Sequence, residues 1–174
     1  SFPTRRSSDL IENCPMLFTE DEWPGGKNLA ISPAIWRELF KRFPSDMLGL
    51  NFDPSHFIWQ EMDYIKPLYE FKDKIFHVHY KDIKVNKDAR NEVGILATPL
   101  SYMLPCIPGH GDVDWAEYIR ALLEIGYKGA ACIEIEDKSF ENDKESIENS
   151  LKISRQYLKQ FINFPEKGKK YEKD

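Results

Sequence analysis

No apolar stretch in this 174-residue chain approaches the ~18 residues that a membrane helix needs. The N-terminus also lacks the apolar core of a signal peptide. A basic excess is missing: 24 Lys and Arg stand against 29 Asp and Glu, a net charge of −5. That balance argues against electrostatic nucleic-acid binding, which depends on a basic face. Cysteine is scarce. Cys14, Cys106 and Cys132 are odd in number and widely spaced, which suits free thiols in a reducing compartment rather than a disulfide framework. The expected location is therefore cytoplasmic, with neither membrane nor nucleic acid as partner. Only four histidines occur.

What is present is enough to fold. Hydrophobic residues make up 41% of the chain and aromatics 13%, sufficient for one domain with a sizeable core. Four short apolar runs end on an acid or an imidazole. Leu10-Ile11 leads to Glu12, residues 47–52 lead to Asp53, Ile75-Phe76-His77-Val78 leads to His79, and residues 130–133 lead to Glu134. Between them lie segments of helical spacing. Ser32-Pro33 opens a helix with Ile35, Trp36, Leu39, Phe40 and Phe43 on one face. Residues 58–71 read as a second helix, kinked or shortened by Pro67. Asp114 caps a third that Gly126 stops, and 143–162 reads as the fourth. Strands are expected at 47–52, 75–80 and 130–136. Alternating strands and helices of this kind build βα units around a parallel sheet, with catalytic groups at the carboxyl ends of the strands.

Two long connections interrupt the alternation. Residues 14–32 carry Pro15, Pro24 and Gly25-Gly26, as expected of a site-covering loop. Residues 83–113 show no clear periodicity and read as another lid or substrate loop. The first nine residues, with Arg5-Arg6-Ser7-Ser8-Asp9, do not suit a central strand and read as a foreign or disordered leader. Residues 164–174 read as a charged tail.

Carboxylates and an imidazole converging at strand ends form a mixed oxygen and nitrogen site for a divalent metal. Other readings compete for each residue. Glu12 could be an exposed loop acid, and Asp53-Pro54 a turn starter. His77 and His79 share a strand face, so one could be a core histidine. Glu134 and Glu136 also share a face, and Glu136 either contacts substrate or pairs with a lysine. Lys81-Asp82 could form an ion pair. His110 could be a plain loop residue. Among the tryptophans, Trp23 in the long loop is the best candidate for a substrate contact; Trp36, Trp59 and Trp115 suit packing.

Five segments in order carry a resemblance: Ile11-Glu12-Asn13-Cys14-Pro15, Asn51-Phe52-Asp53-Pro54-Ser55-His56, His77-Val78-His79-Tyr80-Lys81-Asp82, Pro108 to Trp115, and Ile133-Glu134-Ile135-Glu136-Asp137. Over residues 10–163 the chain resembles the sugar phosphate isomerases/epimerases with a xylose-isomerase-like barrel. The resemblance implies an α/β fold, a half TIM barrel containing units five to eight of eight. It implies one divalent metal (Mn, Mg, Co or Zn) held by Glu12, Asp53, His79 and Glu134, with Glu12 and Glu134 also transferring protons. His56, His77, Trp23, His110 and Glu136 become the candidate substrate contacts. The implied activity is isomerisation or epimerisation of a keto sugar or polyol through an enediolate. A dehydratase of the same barrel is the alternative, and an abasic-site endonuclease is disfavoured by the charge and the few histidines. As a half barrel the chain would be an inactive fragment with two open sheet edges and one uncovered apolar sheet face. Homo-oligomerisation of the full-length protein is left open.

Overall fold

A computed structural model describes residues 9–15 and 28–162. Its main sheet has four parallel strands: β1 (Asp9–Glu12), β2 (Leu48–Phe52), β3 (Ile75–Tyr80) and β6 (Ala130–Ile133), in the spatial order β1-β2-β3-β6. Glu12 lies opposite Asn51, Asn51 opposite His77 and His79 opposite Cys132, with a shift of register between β2 and β3 at Leu50/Asn51. This is an α/β fold with the parallel sheet of a partial TIM barrel. Asp9 already belongs to the ladder, pairing with Leu48. No helix among the described residues is long and apolar enough to cross a membrane.

Five of the six helices among the described residues contribute to one core against the sheet. Helix α1 (Pro33–Arg42) begins at Ser32-Pro33 as its sequence dictates, although the Ser32 side chain makes no capping bond. Its Trp36 is fully buried against Phe52, Phe57 and Phe71. Helix α5 (Trp115–Glu124) is capped by the Asp114 carboxylate, which accepts from Glu117 N at 2.9 Å, and adds Tyr118 and Leu122 to the same core. Helix α6 (Lys144–Leu158) is shorter than its apolar pattern suggests. Alternate strand residues Leu50, Phe52, Val78 and Tyr80 enter this core. Residues between them face the other way. That other face is part polar, carrying Asn51, His77 and His79, and part apolar, with Leu10, Ala130 and Cys132 exposed.

Residues 58–71 do not form one helix. The chain makes two short ones, α2 (Ser55–Ile58) and α3 (Lys66–Glu70), with Glu61 at a positive φ of 56° between them. Pro67 sits in the first turn of α3, the position where its missing N–H costs least.

The segment 83–113 is also ordered differently from its sequence reading. Strands β4 (Asp82–Val85) and β5 (Met103–Cys106) pair antiparallel, with helix α4 (Lys87–Val93) and a 3₁₀ turn at Pro99–Ser101 between them. Periodicity misses strands of four residues containing Lys84 and Pro105. Asp82 ties this excursion to the core and does not pair with Lys81. Its buried carboxylate accepts from Ile83 N, Gly109 N, Val113 N and Trp115 Nε1, at 2.8 to 3.0 Å. Gly109 has a φ of +94°, and a side chain there would meet the Tyr157 ring; at Gly111 it would meet Asp82 itself. Two glycines are thus required for the loop to close over one carboxylate.

Two expectations follow. Asp82→Asn keeps the shape but turns an NH₂ toward N–H donors, so unfolding free energy should fall by about 2–4 kcal/mol in urea denaturation; a loss below about 0.5 kcal/mol would contradict the tethering role. Strands β1 and β6 each pair on one side only among the described residues, and Ala130, Ala131 and Cys132 are exposed. Open parallel edges recruit other strands, so light scattering should find the chain dimeric or larger. A monodisperse monomer would count against that.

Candidate metal centre

The four strand-end residues meet. Glu12 is the last residue of β1, Asp53 follows β2, His79 is the penultimate residue of β3, and Glu134 follows β6. One potential ligand atom from each lies within 4.8 Å of the others. Parallel strands bring this about because their carboxyl ends lie on one side of the sheet.

Local bonds aim each group. The Asn13 side chain donates to Asp53 O and accepts from Asp53 N, both at 2.8 Å and buried, locking the end of β1 to the end of β2. Asp53 Oδ1 accepts from Ser55 N at 2.8 Å. Its Oδ2 is buried and takes no hydrogen bond. Asn28 returns from the long loop and donates to Glu12 O and Cys14 O, at 2.6 and 2.7 Å.

His79 Nδ1 lies 3.0 Å from Glu12 Oε1 and 2.8 Å from Glu134 Oε2. A single proton on Nδ1 cannot serve both. His56 Nε2 joins Asp53 Oδ2 as a buried polar atom lacking a hydrogen-bond partner. Burial opposes charge on His79, but the hydrogen bonds and charges of Glu12 and Glu134 outweigh it and push the imidazole up to about 10. The His79 hydrogen bond in turn holds Glu134 below its ordinary value. Three carboxylates and an imidazole, with unpartnered atoms directed inward, fit a hard or borderline divalent cation. No thiolate belongs to the group.

The other candidates divide. His56 is nearly buried, with Nε2 3.3 Å from Asp53 Oδ2 and 4.0 Å from Glu12 Oε1, and burial lowers its affinity for a proton. It lines a cleft of about 380 Å³ together with Glu12, Lys81, Glu134 and Glu136. Glu136 pairs with Lys81 Nζ at 2.6 Å, so the lysine pairing occurs and the acid still borders the cleft. His77 does not line it; its Nδ1 meets Asn51 Oδ1 at 2.8 Å. His110 is exposed, its ring beside Phe140 and apart from the acidic group. Trp23 lies outside the described residues. Trp36, Trp59 and Trp115 are core.

Sequence reasoning missed Lys81 as a site group. It is 4% exposed, 3.9 Å from Asp53 and 3.8 Å from Glu134. Burial opposes its charge, yet Asp53, Glu134 and Glu136 raise its pKa overall. Its position two residues beyond His79 on an alternating strand was the available signal. Asn51 and Asn13 were also missed.

One divalent ion per chain is expected, and Asp53→Ala or His79→Ala should lose most of it by elemental analysis. Unchanged stoichiometry in both would refute the site. Below pH 10 a proton occupies the nitrogen that faces the carboxylates, so metal binding must release it. Apparent affinity should rise by up to about tenfold per pH unit between 7 and 9. Calorimetry in two buffers that finds no proton release would exclude His79 Nδ1 as ligand.

Comparison with known proteins identifies the family. The inosose dehydratase of Lactiplantibacillus plantarum is 29% identical over 119 residues, covering 67% of this chain and 38% of the relative. The structure of D-psicose 3-epimerase with D-tagatose from Clostridium cellulolyticum H10 superposes with a TM-score of 0.59 at 15% identity, over 87% of this chain and 48% of that one. The structure of the IolI protein with a bound zinc atom gives 0.57 at 20% identity, over 75% and 45%. These two likenesses are of fold. The chain spans about two fifths of the length of the curated relatives it matches. Residues 9–159 match the xylose isomerase-like TIM barrel family, and the chain belongs to it.

Proposed function

We propose that this chain carries the metal centre and proton-transfer groups of an isomerase or epimerase acting on a keto sugar or polyol. The carrying observation is that Glu12 and Glu134 approach one imidazole nitrogen from the two outer strands of the sheet, within a cluster fit to hold a divalent cation. Glu12, Asp53, His79 and Glu134 would hold the ion, which when bound would acidify a carbon-bound proton beside a carbonyl. One of Glu12 and Glu134 removes that proton and the other returns it to the opposite face. Glu134, depressed by its hydrogen bond from His79, is ionised and so in the form that accepts a proton. Lys81 stays protonated under three carboxylates and balances their charge in the cleft. His56, neutral through burial, reaches the cleft as a hydrogen-bonding group for a substrate hydroxyl.

A dehydratase is the second reading. It is favoured by the identity shared with inosose dehydratases, and it begins with the same proton abstraction. The two differ in whether the carbanion is reprotonated or expels a β-hydroxyl as water. In metal-loaded full-length protein, a panel of ketoses and inososes in D₂O, followed by NMR, should show exchange of one carbon-bound proton. Glu134→Gln should slow it by about 10²-fold or more. Exchange without a change of mass formula supports the isomerase, and loss of water supports the dehydratase. Exchange that survives both Glu12→Gln and Glu134→Gln overturns the proposal.

A further inference from the structure

Asn51 lies on the polar face of the sheet, one strand over from both histidines of β3. Its amide stands between two imidazoles, with Oδ1 2.8 Å from His77 Nδ1 and Nδ2 3.1 Å from His79 Nε2. The two rings are perpendicular, with centroids 5.4 Å apart. A half-turn about the bond from Cβ to Cγ exchanges the amide's two ends, so its partners decide which end faces which ring. With the NH₂ toward His79, Nε2 must accept, and the single proton of the neutral ring sits on Nδ1. No lone pair then points at Glu12 and Glu134. With the oxygen toward His79, the proton is held on Nε2 and Nδ1 presents its lone pair to the carboxylates. His77 must then accept from the NH₂ at Nδ1 and keep its own proton on Nε2. Only the second arrangement leaves His79 able to bind a cation.

We propose that Asn51 is the positioning residue of the centre: with a cation bound, its amide stands a half-turn from the orientation the structure shows, so that its carbonyl oxygen fixes the His79 proton on Nε2, and His77, accepting from the NH₂, holds it there. The inference rests on the metal-centre reading above. It gives His77 a role in orienting a ligand rather than in touching substrate, in keeping with its absence from the cleft lining. Histidine ligands elsewhere have their second nitrogen anchored in this way, and loss of such an anchor typically weakens binding by about 10–100-fold.

The test uses the ¹⁵N-labelled full chain with and without one equivalent of zinc, reading histidine ring nitrogens by long-range ¹H–¹⁵N NMR. In the loaded protein His79 should be protonated on Nε2 with Nδ1 bound, and His77 protonated on Nε2 with Nδ1 accepting. Asn51→Asp keeps an acceptor for the Nε2 proton and should bind zinc within a few-fold of the unsubstituted chain. Asn51→Leu should raise the zinc Kd about 10–100-fold. A loaded protein whose His77 is protonated on Nδ1 overturns the inference, as does an Asn51→Leu chain that folds and binds zinc as tightly as before. Should Asn51→Leu not fold, the ring tautomers of the unsubstituted chain decide. Failure of the unsubstituted chain to bind zinc at all, or binding with His79 Nδ1 still protonated, would instead bring down the metal-centre reading and this inference with it.

Discussion

Three carboxylates crowd around one imidazole at the carboxyl end of the sheet, and their mutual repulsion is the constraint to which the neighbouring structure answers. At about 4 Å, two like charges near a protein surface repel by roughly 4 kcal/mol. Glu12, Asp53 and Glu134 cannot share that space uncompensated. In the metal-free chain the compensation comes from His79, raised to about 10, and from the buried ammonium of Lys81. Neither fully satisfies the group, since Asp53 Oδ2 is left without a hydrogen bond. A site built this way favours a cation over empty space or water.

Holding such a cluster together requires rigid strand ends. The reciprocal Asn13–Asp53 bonds join β1 to β2 through both polar groups of one peptide residue. Asn28 fastens the backbone on either side of Asn13. Beyond β3, Asp82 gathers four N–H groups and so fixes the hairpin and the glycine-containing loop before α5. These tethers use side-chain amides and carboxylates as backbone partners, which is how irregular segments avoid burying unpaired polar groups. The helix layer contributes stability from the opposite face, where Trp36, Phe52, Phe57 and Tyr118 interlock.

Membership of the xylose isomerase-like barrel family fits this division of labour, in which one sheet face packs helices and strand ends carry chemistry. On the proposed reading, the fate of a carbanion formed beside a carbonyl depends on the groups around the centre. In this chain those groups include His56, Lys81 and Glu136, all bordering the cleft. Lys81 and Glu136 form a pair of opposite charge beside the acidic cluster, a feature a substrate with several hydroxyls would meet.

The sequence by itself determined the βα alternation, the packing roles of three tryptophans, the cap at Asp114, the helix start at Pro33, and the three acids and one imidazole at the ends of the parallel strands. These were legible because apolar runs of period two, helical stripes and turn residues are local signals. Only the tertiary structure decided the rest. The hairpin within 83–113 is made by pairing two four-residue strands of mixed character, and pairing between distant segments leaves no periodic trace. The break between α2 and α3 reflects backbone geometry at Glu61 rather than hydrophobic pattern. Lys81 enters the site, His110 stays at the surface, and Asn51 stands between two histidines because strands adjacent in space but remote in sequence set those distances. Ligand-bearing strand ends can be read from one chain segment at a time, whereas the partners that orient each ligand come from neighbouring strands and exist only once the sheet has formed.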